Sequence, residues 1–316
     1  MKKSTFFVWL LIVLIYYTLG GQSFPDYANY ITLSQNGGYL FYENEYFAEW
    51  LSRLWLANVG RLIGDHQLSV DIFSAIIQIT YLIWAVNGHE KNKLIAKFWI
   101  TIFLGPLLLT TTIRATVSYL CVFQVFLGEL TLKRILFYGL VGASFHDAVL
   151  IPVAMILGMK IFENYLKIKM PSFLLIVSFC IIALGPYLVN FALELINSFG
   201  IGIREIYFQN YLSPSVAKYV YALFILTLSF FVLHVESEPL AQSAYMSIVV
   251  VSTMMFSIAS TPAIRLYLYA FGPACILLVR GTGLMGKLMR NKIVLLTVPI
   301  FILPLMIFDL FRNVEV

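Results

Sequence analysis

The chain has 316 residues, of which 60% are apolar or aromatic and 12% are charged, against roughly 45–50% and about 25% in soluble proteins. With a mean hydropathy of +0.87 it has too little polar surface to coat a water-facing core, which excludes a soluble globular protein and a disordered one and leaves an integral membrane protein. The net charge of +5 comes from 21 basic residues scattered in ones and twos between apolar runs, so the charge fits a membrane topology and not a nucleic-acid-binding face or tail.

In chain order, Lys2 and Lys3 precede an apolar run from Ser4 to Gly20 with no A-x-A-like cleavage site after it, which reads as a signal anchor. A polar, aromatic outer loop follows over 22–67. Its part from Phe47 to Ile63 is amphipathic and interrupted by Arg53 and Arg61, as in a helix lying at the interface. Further spans are expected at about 68–86, 98–113, 115–131, 171–191, 215–234, 240–259, 266–284 and 293–311, nine in all with the anchor. The segment 135–158 is interrupted by Gly139, Gly142, the cluster Ser144 to Asp147, and Pro152, which predicts a re-entrant or broken helix pair near its middle. The expected fold is therefore an all-α polytopic membrane protein, residues 1–316 forming one membrane domain with an outward-facing cavity.

With the N-terminus in the cytoplasm and 135–158 re-entrant, the loops 87–97, 133–134, 159–169 and 285–292 fall inside, as the positive-inside rule requires. Fourteen of the 21 basic residues then lie inside, eleven of them Lys; the seven outside are Arg53, Arg61, Arg114, Arg204, Lys218, Arg265 and Arg312. Arg grips phosphate bidentately and stays charged when partly dehydrated, so an outer cavity lined by Arg predicts an anionic ligand such as a phosphate or pyrophosphate head group. The competing explanation is ion pairing with Glu43, Glu45, Glu49 or Glu205, or snorkelling to lipid head groups.

The outer loop sets Asp26, Tyr27 and Tyr30, and then Glu43, Glu45, Glu49 and Trp50, side by side. Aromatic faces stack on sugar rings, carboxylates accept hydroxyl hydrogen bonds, and one carboxylate can deprotonate an acceptor hydroxyl; an interfacial aromatic belt would leave a similar pattern. Arg114 follows Thr110-Thr111-Thr112 at an outer junction of two spans, and Arg265 follows Ser260-Thr261-Pro262 at the head of a helix bearing Tyr267 and Tyr269. His146 and Asp147 form an ionisable pair in the break, with a half-helix cap satisfied by Ser144 and backbone as the structural alternative. Arg204 and Glu205 lie in the outer loop 198–214, where substrate contact competes with plain solvation. His66, His89 and His234 are dispersed and read as surface or interfacial residues. Cys121, Cys180 and Cys275 sit inside apolar runs as small core residues, without disulfide or zinc-ligand spacing. No nucleotide-binding, zinc-protease or nucleophile-elbow motif occurs, and neither a metal nor a cofactor is expected.

The order of these features resembles the bacterial polysaccharide polymerases that include EpsG and the Wzy-like O-antigen polymerases. The similar elements are Pro25-Asp26-Tyr27 with Tyr30, the stretch Glu43 to Trp50, Ile113-Arg114-Ala115, Ala143-Ser144-Phe145-His146, and Arg265 near the outer end of a late span. Where such proteins commonly carry F-H-x-S-A, this chain has Phe145-His146-Asp147-Ala148 and lacks the serine. The resemblance implies a glycosyltransferase of the bacterial cytoplasmic (inner) membrane that polymerises undecaprenyl-pyrophosphate-linked oligosaccharide repeats at the outer face, for O-antigen or exopolysaccharide. A flippase and a chain-length regulator would be its neighbours. In that role Arg114 and Arg265 would stabilise the departing pyrophosphate and His146, Asp26 or Asp147 would serve the acceptor hydroxyl. Tyr27, Tyr30, Glu45, Glu49, Arg204, Glu205 and Tyr269 would contact substrate. The alternatives are another lipid-linked-sugar glycosyltransferase or an O-antigen ligase, and a flippase for the same lipid-linked sugar. Against a flippase, there is no internal repeat with matching broken helices.

Overall fold

Helix accounts for 90% of the residues described and none of them is in a strand. The computed structural model describes residues 25–36, 50–88, 90–110, 113–161, 171–182, 216–235, 238–258, 260–295 and 297. The expected signal anchor, Glu43, Glu45, Glu49, Arg204, Glu205, His89 and most of the last expected span lie outside these residues. The helices are α1 (Pro25–Gln35), α2 (Trp50–Ile63), α3 (His66–Val86), α4 (Lys91–Thr110), α5 (Ile113–Phe126) and α6 (Leu132–Phe145). A 3₁₀ turn at Asp147–Val149 leads to α7 (Leu150–Ile161). The remainder are α8 (Pro171–Ile182), α9 (Val216–Leu233), α10 (Pro239–Ile258), α11 (Ser260–Arg280) and α12 (Leu284–Met289). Among the described residues three stretches are long and apolar enough to cross a membrane by length and composition: His66–Val86, Pro239–Phe256 and Ala263–Arg280.

Local chemistry sets the helix ends. Asp65 caps α3 by accepting from the Leu68 N–H at 3.0 Å, and Thr131 caps α6 through the Arg134 N–H. Gly64 and Gly88, at φ of 73° and 122°, turn the chain on either side of α3, in a region of φ that a side chain disfavours.

Burial separates centre from periphery: 83% of the Ala263–Arg280 stretch is buried inside the protein, but only 39% of α3. A helix apolar all round belongs in the middle, and α11 packs against α4, α5, α9 and α10. Its Gly272 lies so close to the Phe123 ring of α5 that a Cβ there would collide with it. In α8 the buried stripe Leu174, Leu175, Ser178, Ile181 follows helical spacing, and Cys180 falls off it. Cys180 is thus exposed, contrary to the expectation for it, whereas Cys121 and Cys275 are buried as expected. His66 also departs from a surface role: half-buried, it holds its Nδ1 2.9 Å from Ser34 Oγ.

The interrupted segment folds as two helices, and the break falls at His146–Val149, in the expected polar cluster, while the two glycines and Pro152 stay inside helices. Gly139 and Gly142 are inside α6, where a Cβ would press on Val153 and Val149 respectively, so they let α7 turn back closely along α6. Pro152 is the third residue of α7, within the first turn, whose N–H groups lack helical acceptors in any case.

Helices α3, α5 and α11 finish at one end of the bundle, where their last carbonyls meet cations, Lys97 buried, Arg134 and Arg290 half-buried and Arg280 exposed. Lys97 Nζ donates to Trp84 O at 2.6 Å and Asn87 O at 2.7 Å. Arg134 donates to Gln124 O, Arg280 to Phe126 O and Leu127 O, and Arg290 to Val279 O and Gly281 O. These carbonyls have no helical partner, and they form the negative end of the helix dipole. The same three helices begin at the opposite end, which carries His146.

Candidate functional site

At the His146 end, α1 lies against α2 and α3, so that Tyr27 and Tyr30 join a small apolar cluster with Leu56, Val70, Phe73 and Val117. Burial of the Tyr rings demands partners for their hydroxyls. Tyr27 donates to Asp71 Oδ1 at 2.6 Å. The Tyr30 hydroxyl accepts from the backbone N–H of Arg114 at 3.4 Å, and the Arg114 guanidinium sits 5.6 Å from the Tyr30 ring centroid, a cation–π arrangement. Asp26 is the second residue of α1; its side chain lies outside what the structure describes.

Helix α5 then links this face to α11. Tyr119, five residues after Arg114, donates its hydroxyl to the Arg265 carbonyl at 3.3 Å, and its phenol is close enough to interact electrostatically with both Arg265 and Tyr30. Arg265 is the sixth residue of α11 and is exposed; one turn on, the Tyr269 ring lies 4.2 Å from that of Tyr119. Arg114 and Arg265 therefore occupy the N-terminal ends of two packed helices, with Tyr119 between them. A cation at a helix N-terminus faces the positive end of the dipole, which disfavours it, while an anion there is favoured by the dipole and the guanidinium together.

His146 lies on the deeper side of this group. Ser118 of α5 donates to Gly142 O at 2.7 Å and more weakly to His146 O at 3.4 Å, and Ser52 of α2 donates to Phe145 O at 3.1 Å. Two hydroxyls from other helices thus satisfy the last carbonyls of α6 and hold the break in place. The imidazole Nδ1 is 3.1 Å from Asp147 Oδ1 and 3.2 Å from the Ala148 N–H. One nitrogen cannot serve both at once: without a proton Nδ1 accepts from Ala148, and with one it donates to Asp147, which orients the ring so that Nε2 is the basic nitrogen. The expected Ser144 partner for this ring is engaged elsewhere, on Val141 O at 2.7 Å.

The Tyr269 hydroxyl is fully buried and meets the Ser118 side chain, with the Asp147 carboxylate nearby, so it ties α11 to the hydroxyl that holds the break.

Of the residues singled out from sequence, the structure brings together Tyr27, Tyr30, Arg114, His146, Asp147, Arg265 and Tyr269. Sequence reasoning missed three that join them. Asp71 had a signal, being the one carboxylate in the apolar run 68–86. Tyr119 and Ser118 had none, since either reads as an ordinary helix residue. Among the described residues no three His, Cys, Asp or Glu side chains come together. Comparison of the chain with family models, with curated proteins and with solved structures gives no match.

Proposed function

We propose that this protein is a polysaccharide polymerase of the bacterial cytoplasmic membrane, joining oligosaccharide repeats carried on undecaprenyl pyrophosphate. In this reading the chain crosses the membrane nine times, α6 and α7 are re-entrant, and the His146 end opens outward. The supporting observation is the grouping of Arg114 and Arg265 toward the starts of two adjacent helices, joined through Tyr119, with His146–Asp147 and the buried Tyr269 hydroxyl alongside.

The reaction breaks the bond between the donor sugar's anomeric carbon and the pyrophosphate oxygen, and forms a bond from that carbon to an acceptor sugar hydroxyl. The hydroxyl proton passes to a base, and undecaprenyl pyrophosphate leaves with the bonding electron pair. Arg114 and Arg265 stabilise the charge growing on the pyrophosphate, assisted by the helix dipoles, in a site of lowered dielectric. His146, oriented by Asp147, takes the proton through Nε2, with Asp26 and Asp147 as the alternative bases. The energy resides in the glycosyl–pyrophosphate bond of the donor, so no nucleotide site is needed.

Arg114→Ala, Arg265→Ala and His146→Ala are expected to abolish long glycan chains while single lipid-linked repeats accumulate outside. Retention of those repeats on the cytoplasmic face would point to a flippase, and full-length chains missing only from their final acceptor would point to a ligase. Unchanged glycan profiles in all three variants would leave these residues without a catalytic role.

A further inference from the structure

At the end opposite His146, a cavity of about 510 Å³ runs along α5 between α3 and α6, within the roughly 300–1,000 Å³ range of ligand pockets. On α5 it is floored by Val117, Leu120, Cys121, Gln124 and Leu127, one face of the helix. The ten steps from Val117 to Leu127 span about 15 Å, half the ~30 Å of a hydrocarbon core. Charge is confined to one end of the groove, where Lys93, Lys97 and Arg134 line it, and the opposite end is apolar. The helices that wall it expose Ile79 and Ile83 of α3 and Phe137 and Leu140 of α6, as a membrane-facing surface would.

The charged mouth consists of donors. Lys97 is only 5% exposed, and neither it nor Arg134 has a carboxylate partner among the described residues. Lys97 places two N–H groups on backbone carbonyls and packs 4.9 Å from the Trp84 ring, which leaves a third N–H. Gln124 has its Oε1 taken by the Trp84 indole at 3.2 Å, so it can offer only its amide N–H groups. Lys93 adds a charge at the rim, shared with Glu90. A buried ammonium without a counter-charge is costly and becomes favourable when an anion enters.

We infer that this groove binds an anionic membrane phospholipid, its phosphate held by Lys97, Arg134, Lys93 and Gln124 and its acyl chain laid along Val117, Leu120 and Val141 of the α5–α6 floor. A free phosphate would use the mouth but not the apolar floor, and a zwitterionic lipid would use the floor but bring no net charge to the mouth. The charged mouth lies away from His146, while the inner end of the apolar floor reaches Val117, in the cluster that also holds Tyr27 and Tyr30.

The test uses the purified full chain in detergent, titrated with dioleoyl phosphatidylglycerol, dioleoyl phosphatidylcholine or inorganic phosphate, read by native mass spectrometry and by Tm. The expected result is retained phosphatidylglycerol and a raised Tm, with phosphatidylcholine at least about tenfold weaker. Lys93→Gln with Arg134→Gln should weaken phosphatidylglycerol about tenfold or more. Thr80→Trp fills the groove from an exposed wall position without touching the carbonyl contacts, and should remove binding while the variant still folds. Equal retention of the two lipids, unaltered phosphatidylglycerol binding in either variant, or the same Tm rise with inorganic phosphate alone would each overturn the assignment.

Discussion

The two ends of the bundle treat their cations in opposite ways. At one end Lys97, Arg134, Arg280 and Arg290 are plugged into the carboxyl termini of α3, α5 and α11, where bare carbonyls and the dipole both favour positive charge. At the other, Arg114 and Arg265 stand at amino termini, where the dipole opposes them. Cations at the first end are held by the fold's own carbonyls, with donor N–H groups of Lys97 and Arg134 left over toward the cavity. Those at the second hold together better with an anion present, which is the physical basis for placing a pyrophosphate there.

That contrast is broken most directly by exchanging one Arg from each end for Met. Arg290→Met orphans the Val279 and Gly281 carbonyls and is expected to cost about 2 kcal/mol of stability, seen as a lower Tm. Arg265→Met is expected to leave Tm unchanged while polymer is lost; an equal fall in Tm for both would erase the distinction. Gly272→Ala forces a methyl into the Phe123 ring where α11 crosses α5, the pair of helices that carries both ends. It should cost about 1–3 kcal/mol, with Tm and glycan length falling together. Tyr269→Phe sharpens the comparison by deleting the hydroxyl that meets Ser118: Tm should fall by no more than one hydrogen bond's worth, about 1 kcal/mol, while polymer yield drops, and an unaltered yield would remove Tyr269 from the substrate site. The smallest effect is expected for Ser118→Ala, which loses one hydrogen bond to Gly142 O, about 1 kcal/mol, measured as a slight Tm decrease.

Much of the helical frame was legible in the sequence because it rests on hydropathy. The expected spans 68–86, 215–234 and 240–259 match His66–Val86, Val216–Leu233 and Pro239–Ile258 within two residues at each end. The break was legible too, in the polar cluster Ser144 to Asp147; the part played by the glycines was not, because Gly139 and Gly142 carry the same letter whether they interrupt a helix or admit a neighbour, and only the nearness of Val149 and Val153 decides. The roles of Arg134, Arg280 and Arg290 were hidden for a related reason. They bind backbone carbonyls, which every residue possesses, so nothing in the sequence announces the partner. At the site, Arg114, His146, Asp147 and Arg265 stood out as charges in apolar surroundings, whereas Tyr119 became visible only when α5 met α11.

Ser52 on α2 holds the final carbonyl of α6, and the imidazole begins one residue later. The amphipathic helix is therefore tied to the peptide that precedes the ring, so the placement of α2 and the orientation of His146 are set together, and Ser52→Ala would loosen both.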